Sequence, residues 1–145
     1  MSGYLSGVLA ILGINIIFAY SIYITAATGQ LNLGGAGFQA IGAYACALLS
    51  NELGLPIYLT LIFSAILGGA ISFLIAFPVL RTKGVYMVLA TFAIAEIVAG
   101  IILNTDYLGG PTGMIVNAYI ETEVVLVVAV IIVFLGFYIM STRIG

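Results

Sequence analysis

The chain has 145 residues, of which 64% are hydrophobic and 6% charged; none is histidine or tryptophan, and the formal net charge is −2. Three basic residues are too few for nucleic-acid binding, and so apolar a chain would expose aggregating patches in water. In a bilayer each uncharged run of about 20 residues spans the hydrocarbon core as a helix, so the composition, with its mean hydropathy of +1.35, specifies a polytopic helical membrane protein.

The first apolar run, Tyr4 to Ala27, has no Lys or Arg before it and is too long for a signal-peptide core, so it is expected to be a retained span. It stops at Thr28-Gly29-Gln30, where a glycine and a polar amide suit a helix C-terminus. Residues Gly29 to Gly42 are uncharged yet rich in glycine and carry Gln30, Asn32 and Gln39. They are too polar for a lipid-facing helix and too apolar for an ordinary loop, which predicts a place inside protein. From Leu33 or Gly35 a short second helix is expected to reach Ser50, before a turn at Asn51 to Pro56. Its only cysteine, Cys46, has no partner for an internal disulfide and lies in an apolar stretch, as a packing residue does.

A third span runs from Pro56 to Leu80, with Ser64, Gly68, Ser72 and Ala76 recurring every four residues and so sharing a helix-packing face. Pro56 suits a first helical turn, and Pro78 predicts a kink or an end just before Arg81-Thr82-Lys83. The fourth span, Val85 to Asn104, contains Glu96; a polar segment, Thr105 to Glu123, precedes the fifth, Val124 to Met140. The expected fold is therefore all-α, a transmembrane bundle of about five membrane helices, the second short and either crossing or re-entrant. With Arg81, Lys83 and Arg143 in the cytoplasm, five spans put the C-terminus inside and the N-terminus outside. A re-entrant second helix would reverse everything before it.

An ionisable residue in mid-span costs about 2.5 to 3.5 kcal/mol on insertion scales, so Glu96 marks a polar interior or pathway. On a helix Tyr86, Ala90, Ala93, Glu96, Gly100 and Asn104 share one face, opposite Met87, Ile94, Val98, Ile101 and Ile102, and the polar face is expected to meet the bundle. Lys83 is about 20 Å away along the same helix, too far for an ion pair. Three roles fit Glu96: interhelical hydrogen bonding, a translocation pathway, or a proton relay, the last disfavoured because no second intramembrane acid, lysine or histidine continues a path. Tyr4, Tyr58, Tyr86 and Tyr138 near span ends suit interfacial anchoring. The Gly29 to Gly42 segment fits either close helix packing or the broken helix of a transporter, where glycines admit a ligand and a helix start offers free N–H groups to an anion.

Three groups of residues in register resemble the inner-membrane permease subunits of ATP-binding-cassette (ABC) importers for branched-chain amino acids, in their LivM-like branch. Gly29-Gln30-Leu31-Asn32-Leu33-Gly34 with Phe38 and Ile41-Gly42-Ala43-Tyr44 resembles the family's glycine-rich motif. Leu80-Arg81, Gly84-Val85-Tyr86, Ala90-Thr91-Phe92-Ala93 and Glu96-Ile97-Val98 resemble its next segment, and Gly109-Gly110-Pro111-Thr112-Gly113 the element before the following span. Gly35, Val85, Ala99 and Leu108 depart from it, each removing a polar group the family often has, so the substrate or its handling is open to difference. The resemblance implies a non-enzymatic, multi-pass permease subunit of the inner (plasma) membrane. It would pair with a second permease subunit, receive its substrate from an extracytoplasmic substrate-binding protein, and be driven by separate ABC ATPase subunits. No P-loop pattern occurs, so no cofactor is expected in this chain and ATP would be used by the other subunits. Gln30, Asn32, Gly34, Gly35, Tyr86, Thr91 and Glu96 are the expected substrate-pathway residues; catalytic and metal-binding residues are not expected. Ser141 to Gly145 resembles the start of the stretch leading to the ATPase-coupling helix, so residues 1–145 are expected to form a transmembrane permease domain truncated before that helix. The alternatives are a non-transporting fragment or orphan assembly subunit, and an ion-coupled carrier or small channel resting on Glu96.

Overall fold

In the computed structural model residues 2–142 are described, and among them the secondary structure is entirely helical. The helices are α1 (Gly3–Ala27), α2 (Gly35–Leu53), α3 (Ile57–Val79), α4 (Val85–Leu103) and α5 (Thr122–Ser141), with two single 3-10 turns, Asp106–Leu108 and Gly110–Thr112, between the last two. Four of them, α1, α3, α4 and α5, are long and apolar enough to cross a membrane. Helix α2, with Gln39, Asn51 and Glu52 in its sequence, has the length but not the apolarity.

The chain forms two compact units, Met1–Leu31 with Ile120–Gly145, and Asn32–Tyr119. In the first, α1 pairs with α5. The Thr122 hydroxyl donates to the Ser6 carbonyl (3.3 Å), Gly13 faces Val125, Leu126 and Ala129, and Gly136 lies under the Tyr20 ring. These contacts advance along both helices in the same direction, so α1 and α5 run parallel. The small residues Gly13, Ala129 and Gly136 are buried, letting the backbones approach without any interhelical ion pair.

In the second unit α2 lies between α3 and α4. Gly42 opposes Gly68, and the Cys46 thiol donates to the Thr60 hydroxyl (3.4 Å), so α2 and α3 are antiparallel across the short turn at Gly54 to Pro56. Thr60 and Ser64 are buried in that contact, each turning its hydroxyl back to its own helix, onto Ile57 and Leu61 carbonyls, so neither leaves an unmet polar group. Gly34 lies against Thr91 and Gly37 against Ala95, so α2 and α4 run parallel. Pro78 stays inside α3, which ends one residue later as Leu80, Arg81 and Thr82 donate to Ala76, Pro78 and Val79 carbonyls. The Arg81 guanidinium sits 5.1 Å from the Phe77 ring centroid, a cation–π contact at the helix end. Outside these seams the surface is apolar, with Ile66, Phe73, Leu74 and Phe77 of α3 and Phe134, Phe137 and Tyr138 of α5 exposed, as helices in lipid require.

Candidate substrate-pathway site

Between α1 and α2 the backbone of Asn32 to Gly34 is non-helical. The Leu33 N–H donates to Thr91 Oγ1 (3.1 Å), and the Asn32 side-chain carbonyl accepts from the Gly34 N–H (2.8 Å). Thr91 is 2% exposed, and its hydroxyl proton is directed at the Met87 and Val88 carbonyls (3.0 and 2.9 Å). One side chain thus accepts from the segment and donates to its own helix, using both functions of a hydroxyl. Thr91 is the seventh residue of α4, about 9 Å from its start at 1.5 Å per residue. The irregular backbone is therefore held alongside the body of a membrane helix rather than at its end.

Close contact explains how the segment reaches that depth. A Cβ on Gly34 would come within 3.1 Å of the Thr91 carbonyl and of Asn32 Oδ1, and one on Gly37 within 2.9 Å of Ala95 Cα. Gly34, just before α2, and Gly37 within it meet small residues four apart on α4, backbone to backbone. Helix α2 begins there without a side-chain cap, and the amides of Gly35, Ala36 and Gly37 find no acceptor among the described residues. Three donors with a partial positive charge therefore gather at this helix start, the Gly37 one on the side buried against Ala95.

Four of the expected pathway residues, Asn32, Gly34, Gly35 and Thr91, come together at this start of α2. Gln30 belongs to the first unit, where its N–H donates to the Thr25 carbonyl (3.3 Å) and closes the end of α1. Tyr86 and Glu96 are exposed on α4. Here the expected orientation of α4 is corrected in part: the buried face carries Met87 and Thr91, with Ala95, Val98 and Ile102 half-buried, while Tyr86, Ala93, Glu96 and Asn104 lie on the uncovered side with Ile101, and Ala90 and Gly100 are half-buried. The polarity of Glu96 suggested the opposite, but backbone proximity at Gly37 and Ala95 decided which face of α4 meets α2.

At the other end of α2, the Asn51 amide donates to the Ile115 carbonyl (2.9 Å), fixing the segment after the second 3-10 turn. A hydrogen bond to the Glu52 carboxylate raises the Tyr107 phenol above its ordinary value, with desolvation and then the Glu52 charge adding to it. These ties were not foreseen from the sequence. Neither Asn51 nor Ile115 carries a local signal, because the contact joins residues brought together only by the parallel course of α2 and α4.

A helical membrane protein with non-helical backbone packed against a spanning helix belongs, by construction, with transport and channel proteins more readily than with receptors or anchors. The family model described as "Branched-chain amino acid transport system / permease component" matches residues 4–144, and the chain belongs to that family. It is 40% identical over 104 residues to "High-affinity branched-chain amino acid transport system permease protein LivM" of Escherichia coli (strain K12), and to the protein of the same name from Salmonella typhimurium (strain LT2). Each match covers 71% of this chain and 23% of the relative, so the chain spans about a quarter of the length of the curated relatives it matches. No solved structure gives a significant match.

Proposed function

We propose that this chain forms part of the translocation pathway of an ABC importer for branched-chain or closely related amino acids. The observation that carries it is the uncapped start of α2, held beside Thr91 with three amides gathered there. An amino-acid substrate carries a carboxylate, for which such amides are the matched donors in a medium that offers no water. Asn32, in the same turn, completes that group; Tyr86 and Glu96, on the uncovered side of α4, are proposed as pathway residues away from it, and Gln30 as one within the first unit. Glu96 in particular needs a hydrogen-bond partner or water on its uncovered face, because direct exposure to lipid is unfavourable. The protein acts without enzymatic chemistry of its own; hydrolysis of ATP belongs to separate ATPase subunits, and delivery to an extracytoplasmic binding protein.

The topology that fits is N-terminus outside and C-terminus cytoplasmic in the inner membrane. Helices α1 and α5 pair in parallel, and two helices crossing a bilayer in one direction require an odd number of crossings between them. The α3–α4 hairpin contributes two, so residues 28–56 with α2 contribute the third. Arg81 and Lys83 put the α3–α4 turn in the cytoplasm; Arg143, the remaining basic residue, lies outside the described residues.

The test is a pull-down of the tagged chain from well-solubilised membranes, followed by ATP-dependent leucine uptake in proteoliposomes. Co-purification of an ABC ATPase and a second permease or permease fragment is the expected result. Recovery of the chain alone would oppose it and favour a non-transporting subunit.

A further inference from the structure

We infer that Thr91 is a positioning residue for transport: its hydroxyl tethers the Leu33 amide and thereby holds the start of α2 in its substrate-binding arrangement. The inference rests on the function proposed above and assigns the residue that keeps that site ordered. The segment Asn32 to Gly34 has two side-chain anchors, and they differ in kind. Asn32 Oδ1 accepts from Gly34 two residues on, a contact internal to the turn that would travel with it. Among the described residues the Leu33 to Thr91 bond is the one hydrogen bond that joins the turn to another helix, across 58 positions of sequence. Burial makes it selective. Thr91 is 2% exposed while Leu33 is exposed, so the bond is part-buried with its acceptor shielded, and losing that acceptor frees the Leu33 N–H from α4. The flat contacts of Gly34 and Gly37 limit how closely the backbones approach, whereas a hydrogen bond also fixes the direction in which the Leu33 amide points.

A turn that is ordered only part of the time binds substrate only for that fraction, so the apparent affinity falls while the rate at saturation stays. Loss of one net hydrogen bond corresponds to about fivefold in such an equilibrium. The experiment uses the full chain in its reconstituted assembly and compares wild type with Thr91→Val, which keeps the shape and removes the hydroxyl, and Thr91→Ser, which keeps the hydroxyl. Two quantities are measured: leucine uptake, and deuterium exchange of the Leu33 amide in nanodiscs. Thr91→Val is expected to speed Leu33 exchange about fivefold and to raise KM by a smaller factor at unchanged maximal rate, with Thr91→Ser close to wild type on both. Unchanged exchange in Thr91→Val, or a serine variant as impaired as the valine one, overturns the inference. If the valine variant fails to accumulate, wild type decides: Leu33 exchanging as fast as Asn32, whose amide has no acceptor among the described residues, overturns it too. If wild type shows the expected exchange pattern but imports no branched-chain amino acid, the tether stands and the proposed transport function falls.

Discussion

A Cβ on Gly37 would lie 2.9 Å from Ala95 Cα, and what stands opposite is backbone, which has no rotamer to change. Adding a methyl group there must push the helices apart, a cost of about 1 to 3 kcal/mol by analogy with overpacked cores. Gly69 on α3, with nothing near its missing Cβ, is the natural control. In a thiol-reactive melting assay that uses the half-buried Cys46 as reporter, Gly37→Ala is expected to lower Tm by several degrees and Gly69→Ala to leave it unchanged or slightly raised. Equal melting of the two would mean that α2 and α4 do not touch through Gly37. A different residue-scale prediction concerns Tyr107. Its pKa is raised in the folded protein, so the neutral phenol is the form the Glu52 contact favours. That contact is fully present below the ordinary tyrosine pKa of 10.0 and is lost as pH rises through the higher folded value. Titration of Tyr107, isolated by difference from Tyr107→Phe, should therefore fall above the ordinary value, and Glu52→Ala should bring it back; identical curves with and without Glu52 would refute the contact.

The elements themselves were legible because in lipid the length of an apolar run is nearly a measurement of a helix. All five helices begin and end within a few residues of the expected positions, and Gly84 at φ +62 marks the start of α4 just after the basic turn. Less legible was which face of α4 packs. Sequence weighs Glu96 by the cost of putting it in lipid, a property of one residue, whereas the face is chosen by a fit between two helices that no single sequence window contains. The polar segment after α4 carries no periodic signal in the sequence, and its two 3-10 turns depend on glycines in left-handed or close-packed conformations. Gly109 illustrates this: at φ +87, a Cβ would also collide with the Gly113 carbonyl. Gly54, which closes α2 at φ +58, has open space around it. Both glycines adopt a left-handed backbone that costs an alanine about 1 to 2 kcal/mol, but only Gly109 adds a clash. Gly109→Ala is thus expected to destabilise the protein clearly more than Gly54→Ala in the same melting assay, and the reverse order would show that the 3-10 turns do not close on Gly113.

At the scale of the whole molecule, the element that composition leaves open is α2, and its proposed crossing is argued from helices remote from it. Composition left it ambiguous, since its glycines and polar residues suit both a crossing and a re-entrant segment. The parallel pairing of α1 with α5 removes the ambiguity in the proposed topology: if residues 28–56 returned to the side they started from, the α3–α4 hairpin would deliver α5 antiparallel to α1. Single cysteines on a Cys46→Ala background read this directly with a membrane-impermeant maleimide on intact cells. Substitutions at Ser2, Asn51 and Asp106 are expected to label from outside, and one at Thr82, in the turn beside Arg81 and Lys83, only after the membrane is opened. The pair that decides is Ser2 and Asn51. Both reactive from outside means that α1 crosses inward and residues 28–56 cross back, as the parallel pairing demands. Asn51 reactive while Ser2 is protected would mean that α1 crosses outward and that α2 dips and returns. The proposed crossing, the orientation of the N-terminus and the course of the chain through the Thr91 site would then be wrong together, because all three depend on the same count of crossings.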